Sequence, residues 1–196
     1  MATRREDLKH VAAATNGEKL TPSSVEQAAF TAGAIESALG HPDSALQHLS
    51  LMRELADRYD DAWLTASSRL QLGTLAVMQG RLEEAREQLD QALALSLAIR
   101  IIRNVTLCLA ALAQLAFGEG DPELAALAGA AEGLQRRAGF TTWPAMRRGE
   151  AQLTAQIRQA LGDDRFGQVF AAGSRLSQQE AVAAIRGRPG NHTQPS

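Results

Sequence analysis

Cysteine is almost missing from this chain: Cys108 is the one example in 196 residues, and it lies inside the apolar run VTLCLAALA. A single thiol cannot close an internal disulfide, so the residue reads as a buried small hydrophobe in a reducing, cytoplasmic compartment. Charge of one sign is missing too. Twenty Lys plus Arg face 22 Asp plus Glu, a formal net charge of -2, which provides no overall field for nucleic acid or an anionic membrane. No apolar run approaches the roughly 18 residues of a membrane span. The first residues, MATRREDLKH, lack the apolar core of a signal peptide, so neither secretion nor membrane insertion is expected.

Catalytic signatures are equally scarce. There is no GxSxG elbow, no Cys-His arrangement, no dinucleotide fingerprint and no GxxxxGK[ST] phosphate loop. Gly118-Glu119-Gly120 follows a helix pattern, the wrong context for a phosphate cradle. His41 and His48 are seven apart, roughly 10 Å along a helix and too far to share one metal ion; His10 and His192 lie near the ends. The carboxylate pairs Asp60-Asp61, Glu83-Glu84 and Asp163-Asp164 fall at helix starts, where negative charge meets the helix dipole favourably. The expectation is a chain that is not an enzyme and uses neither a metal nor a cofactor.

Alanine and leucine dominate what is present, and 45% hydrophobic content is enough for a sizeable core. With aromatics at only 4%, this balance favours helices over β-sandwiches, so the expected class is all-α. The stretch Arg69 to Leu95 carries Gly73, Gly80, Ala85, Leu89 and Ala92. Forty residues earlier stand Gly33, Gly40, Ala45, Leu49 and Met52, and forty later Ala113, Gly120, Ala125, Gly129 and Glu132, where the last two positions drift. Such a fixed period marks stacked supersecondary units. Apolar residues at helical spacing on both sides of Gly80 make each unit a helical hairpin, with glycine at the turn because it takes the left-handed conformation without steric cost.

Along the chain, residues 1–22 read as a weakly helical segment, with a short helix from Arg4 to Ala14. Residues 23–186 read as the repeat domain of about four hairpins and a short last helix, and 187–196 as a disordered tail. Start signals are a capping box at Ser23 to Glu26, the pair Asp60-Asp61, the run Asp121-Pro122-Glu123 and a second capping box at Ser177 to Glu180. The fourth hairpin runs from Pro144 to Leu161 and, after Gly162, from Asp163 to about Ser174.

The pattern of small and large residues in the three units resembles the tetratricopeptide repeat over roughly residues 25–138. Arg69 and Ala76 replace the usual aromatic residues, and the period is 40 rather than about 34, which longer helices would absorb. The resemblance implies a right-handed superhelix of antiparallel hairpins. The segments LAGAAEGLQRRAGF, WPAMRR and LGDDRFGQVFAAGSRLSQQEAV resemble the closing helical-repeat region of large actinobacterial ATPase-type transcription regulators of the LuxR and adenylate-cyclase-associated kind. Together the two resemblances imply a non-catalytic partner- or effector-recognition module of a regulatory protein.

Carried onto this chain, the repeat family's inner groove includes Phe30, Leu70, Thr74, Val77, Met78, Leu107, Gln114 and Phe117. None of the implied groove positions is Lys or Arg, which favours an apolar partner helix over an acidic peptide end; a small effector or a second copy of the chain is the rival occupant. The apolar members would form one open patch. Arg136, Arg137, Arg147 and Arg148 could hold an anion or remain a solvated face with local ion pairs. Trp63 and Trp143 read as packing residues near helix starts, and Arg186-Gly187-Arg188-Pro189 as flexible tail rather than a DNA hook. No direct contact with nucleic acid is expected.

Overall fold

The computed structural model describes residues 22–121, 125–140 and 144–186. The expected helix from Arg4 to Ala14, Pro122-Glu123, Trp143, His10 and the tail with His192 lie outside the described residues. Among those described, every regular element is a helix: α1 (Pro22–Leu39), α2 (Pro42–Tyr59), α3 (Ala62–Met78), α4 (Leu82–Ala98), α5 (Ile102–Gly118), α6 (Ala125–Ala138), α7 (Pro144–Leu161), α8 (Asp163–Arg175) and α9 (Gln178–Arg186). The all-α class follows from the composition.

The turns account for the period. Gly40, Gly80 and Gly120 have φ of 78°, 72° and 83°, and each closes the hairpin at the same place. At Gly80 the chain reverses through Gly80 N–H to the Val77 carbonyl, 3.0 Å, and Arg81 N–H to the Ala76 carbonyl, 2.9 Å, which satisfy the last carbonyls of α3. The turns between hairpins are also left-handed, but at non-glycine residues, Asp60 (φ 50°) and Arg100 (φ 58°). Each helix with its turn therefore takes twenty residues, and helices of 17 or 18 residues absorb the long period. Asp60 is thus the C-cap of α2 rather than an N-cap of α3. Asp61 alone caps α3, accepting from Trp63 N–H (2.8 Å) and Leu64 N–H (3.0 Å). At the first repeat, α1 already includes Pro22, a residue suited to a first helical turn, so Ser23 lies inside the helix rather than ahead of it.

Successive helices pack as hairpins α1–α2, α3–α4 and α5–α6, and the odd-numbered helices also touch in a row, α1 to α3 and α3 to α5. The small residue of each repeat sets the hairpin's closeness. A Cβ on Gly73 would stand 2.7 Å from Leu89 Cγ, and one on Gly33 would stand 3.0 Å from Leu49 Cδ2. Two core clusters result. One is built around Leu49, Met52, Leu64 and Leu75 in the first hairpins, the other around Leu89, Leu109, Leu115 and Leu127 and extending into α7 to α9.

After α6 the pattern changes. The helices expected to form a fourth hairpin make only a small contact with each other, because α8 lies instead against α6. Glycines allow it: any side chain at Gly129 or Gly133 would strike the Phe170 or Ser174 carbonyl, and one at Gly173 would strike the Ala126 carbonyl. With α8 seated there, α7 is carried to the row of odd-numbered helices, where it touches both α1 and α5. The last helix opens with the expected capping box, Ser177 N–H donating to Glu180 Oε2 (2.7 Å) and Glu180 N–H to Ser177 Oγ (3.2 Å).

Candidate functional site

The face worth building is the row α1, α3, α5, since seven of the eight groove positions implied by sequence fall on α3 and α5 and the eighth, Phe30, on α1. Phe30 is half-buried, with its ring 5.9 Å from that of Trp63 and its carbonyl accepting from Gln71 Nε2 at 3.0 Å. Thr74 and Gln114 are half-buried, and the Thr74 hydroxyl donates to the Leu70 carbonyl of its own helix, 2.8 Å. Leu107 and Phe117 are half-buried at the margin of the second core cluster. Leu70 and Val77 are inside that cluster, and Met78 is the exposed member at 48%.

The open apolar patch expected from Phe30, Leu70, Val77, Met78, Leu107 and Phe117 is therefore much smaller than those six residues suggested. Leu70 and Val77 are enclosed because α3 is packed by α1, α2, α4 and α5 together, and the same large cluster extends to Leu153 and Ile157 of α7. These two residues of α7 were not among the implied groove positions. Their signal, Leu153, Ile157 and Leu161 at every fourth position, is legible, but the same stripe would serve an ordinary hairpin.

The seam between neighbouring odd helices is partly polar. Asn104 of α5 donates to Ser67 Oγ of α3 at 3.0 Å, and Gln71 of α3 reaches α1 as described. Two buried oxygens on the α1–α3 side, Ser37 Oγ and Gln71 Oε1, have no hydrogen-bond partner. Leaving such a group unpaired costs about 1–3 kcal/mol, so this seam would gain from a donor.

The arginines divide. Arg137 is committed to the end of α8, donating to the Ser174 carbonyl at 2.8 Å and the Leu176 carbonyl at 2.6 Å. Arg136 is exposed and 3.5 Å from Glu132, one turn away on α6. Arg147 is exposed, and the Arg148 side chain lies outside the described residues. Arg137 thus serves as a cap at the end of α8.

Among the described residues, no group of three His, Cys, Asp or Glu could hold a metal ion. Cys108, fully buried, has its thiol pushed up to about 12 by desolvation, with a smaller opposing effect from the Ser96 hydroxyl. Such a thiol is not a nucleophile near neutral pH. No described helix is long and apolar enough to cross a membrane.

Sequence similarity reaches three curated proteins. Proteins whose names describe them as HTH-type transcriptional regulators, one from Mycobacterium bovis and two from strains of Mycobacterium tuberculosis, are each 31% identical over 193 aligned residues. The match takes in 82% of this chain, and the chain spans only 22% of the length of these curated relatives. No family model matches the chain, and no solved structure matches it. The similarity therefore places the chain beside one part of regulatory proteins.

Proposed function

We propose that this chain is a non-catalytic helical-repeat module, tetratricopeptide-like in its 40-residue units, that recognises an apolar partner helix within transcription regulation. The observation carrying this reading is that α7, an amphipathic helix, lies against both α1 and α5 of the row. A face that takes an aliphatic stripe from its own chain has the chemistry to take one from a partner. The relatives' names support the regulatory setting, and the small-residue positions Gly33, Gly73 and Ala113 support the repeat reading.

The test is capture from the native host. Met78→Glu is the clean variant, because Met78 is exposed and its replacement leaves the core intact. Phe117→Glu is the deeper one, since Phe117 packs at the margin of the cluster. A partner retained by the wild type and lost by folded Met78→Glu supports the reading. Full recovery of every partner by both folded variants moves the binding surface elsewhere on the chain.

A further inference from the structure

The helix over the row is held differently from the helices beneath it. α3 and α5 each bury ten residues, whereas among the described side chains of α7 only Leu153 and Ile157 are buried, in a helix of 18 residues. Gly149 lies within α7, is exposed, and has open space where a side chain would project. Packing therefore gives no reason for a glycine there, and it weakens the helix it occupies. Side-chain links from α7 to α8 include Arg158 over the Phe166 ring, 4.8 Å to the centroid, and Arg158 to Asp163, 3.7 Å, the latter on an exposed surface where ion pairs hold little.

The reach of α7 is unusual too. It touches α1 and α5, the outer two members of the row, without a comparable contact on α3 between them. Beyond the row it touches α8 and, to a smaller extent, α6. Its inward residues, Leu153 and Ile157, are aliphatic and have no donor to give the unpaired Ser37 Oγ and Gln71 Oε1 of the α1–α3 seam. Few buried apolar groups and small contacts with each neighbour are the features of a segment that opens below the threshold of global unfolding.

We propose that α7 is an exchangeable occupant of the α1–α3–α5 row, and that the row binds an amphipathic partner helix with aliphatic residues at i, i+4 and i+8 in its place. The inference rests on the functional reading above and names the partner's pattern, taken from Leu153, Ile157 and Leu161 of the resident helix. Binding of a partner releases α7, and the partner's apparent affinity is lowered by the fraction of molecules in which α7 is still seated.

The experiment uses the full chain carrying Leu153→Asp and Ile157→Asp, and as probe a synthetic peptide of residues 144–161. The variant is expected to keep its helical circular dichroism, less the part due to α7, and to keep the oligomeric state of the wild type. It should bind the peptide saturably, at least ten-fold more tightly than the wild type does, and a peptide carrying the same two aspartates should not bind. In the wild type, hydrogen exchange should show α7 amides opening faster than those of α3 and α5, and Gly149→Ala should slow that opening about five-fold. Unfolding of the double variant overturns the proposal, because it makes α7 part of the core. So does a folded variant that ignores the peptide, a variant that dimerises instead, or α7 amides that exchange only with global unfolding. Purified chain and peptide involve no host partner, so failure here is distinct from failure of the capture experiment.

Discussion

Ile35 and Leu75 hold the same place in successive repeats, forty residues apart, yet Ile35 is 42% exposed and Leu75 is 1% exposed. Leu75 faces the preceding hairpin and joins its core with Met52 and Leu55, whereas no described hairpin precedes Ile35. One position thus has two energies. Leu75→Ala should cost about 2–5 kcal/mol and Ile35→Ala less than about 1 kcal/mol, read from urea unfolding midpoints. Equal costs would show that something covers Ile35.

Glycines within helices α6 and α8 should behave oppositely according to what lies over them. Gly133→Ala forces a side chain into the Ser174 carbonyl and should destabilise by about 1–3 kcal/mol, with α8 losing its place on α6. Gly167→Ala, in α8 but with nothing within 4 Å, should stabilise by about 0.5–1 kcal/mol. Thermal melts of the two variants check both signs.

Cys108 should resist a thiol reagent such as dithionitrobenzoate in the native protein and react when the protein unfolds. Its thiol ionises near 9.0 when exposed and at about 12 when folded, so the unfolded chain carries fewer protons between those values. Stability should therefore fall as pH rises through that window, and Cys108→Ser should flatten the slope. Rapid labelling at neutral pH without unfolding would contradict the burial.

Acid should act at α9. Hydrogen bonds from the Ser177 backbone and then its side chain hold the Glu180 carboxyl below its ordinary 4.5. The depressed value means that the cap's contribution is complete above that ordinary value and is lost as pH falls through the folded one. Amides at the start of α9 should lose protection from exchange in that acid range, while Glu180→Gln should show little pH dependence there.

Much of the fold was legible because it is repetitive. Glycine at 40, 80 and 120 and small residues at 33 and 73 are chosen by backbone and packing constraints that recur each period, so spacing alone located the hairpins. The turns at Asp60 and Arg100 were not legible as left-handed, because neither residue announces that conformation as glycine does. Gly129 looked like a loss of the period at the place of Leu49 and Leu89. It marks instead where α8 comes to lie on α6, a contact between elements that no spacing within one element encodes. The site was less legible still. Leu70 and Val77 were assigned to an open face from repeat position, but position does not report that α3 is packed by α1, α2, α4 and α5 together.

The reach of α7 makes it a gauge of repeat number. Its 18 residues extend about 27 Å, while helices packed side by side are about 8–10 Å apart, so α1 and α5 with α3 between them are separated by roughly 16–20 Å. A helix of that length can reach from α1 to α5, both of which it touches. One more hairpin inserted after α2 would widen the separation to roughly 24–30 Å, at or beyond the helix's whole length, and one fewer would leave it overhanging. The array can thus lengthen or shorten only if the helix laid across it changes in step, so its count of units is tied to a length written elsewhere in the chain.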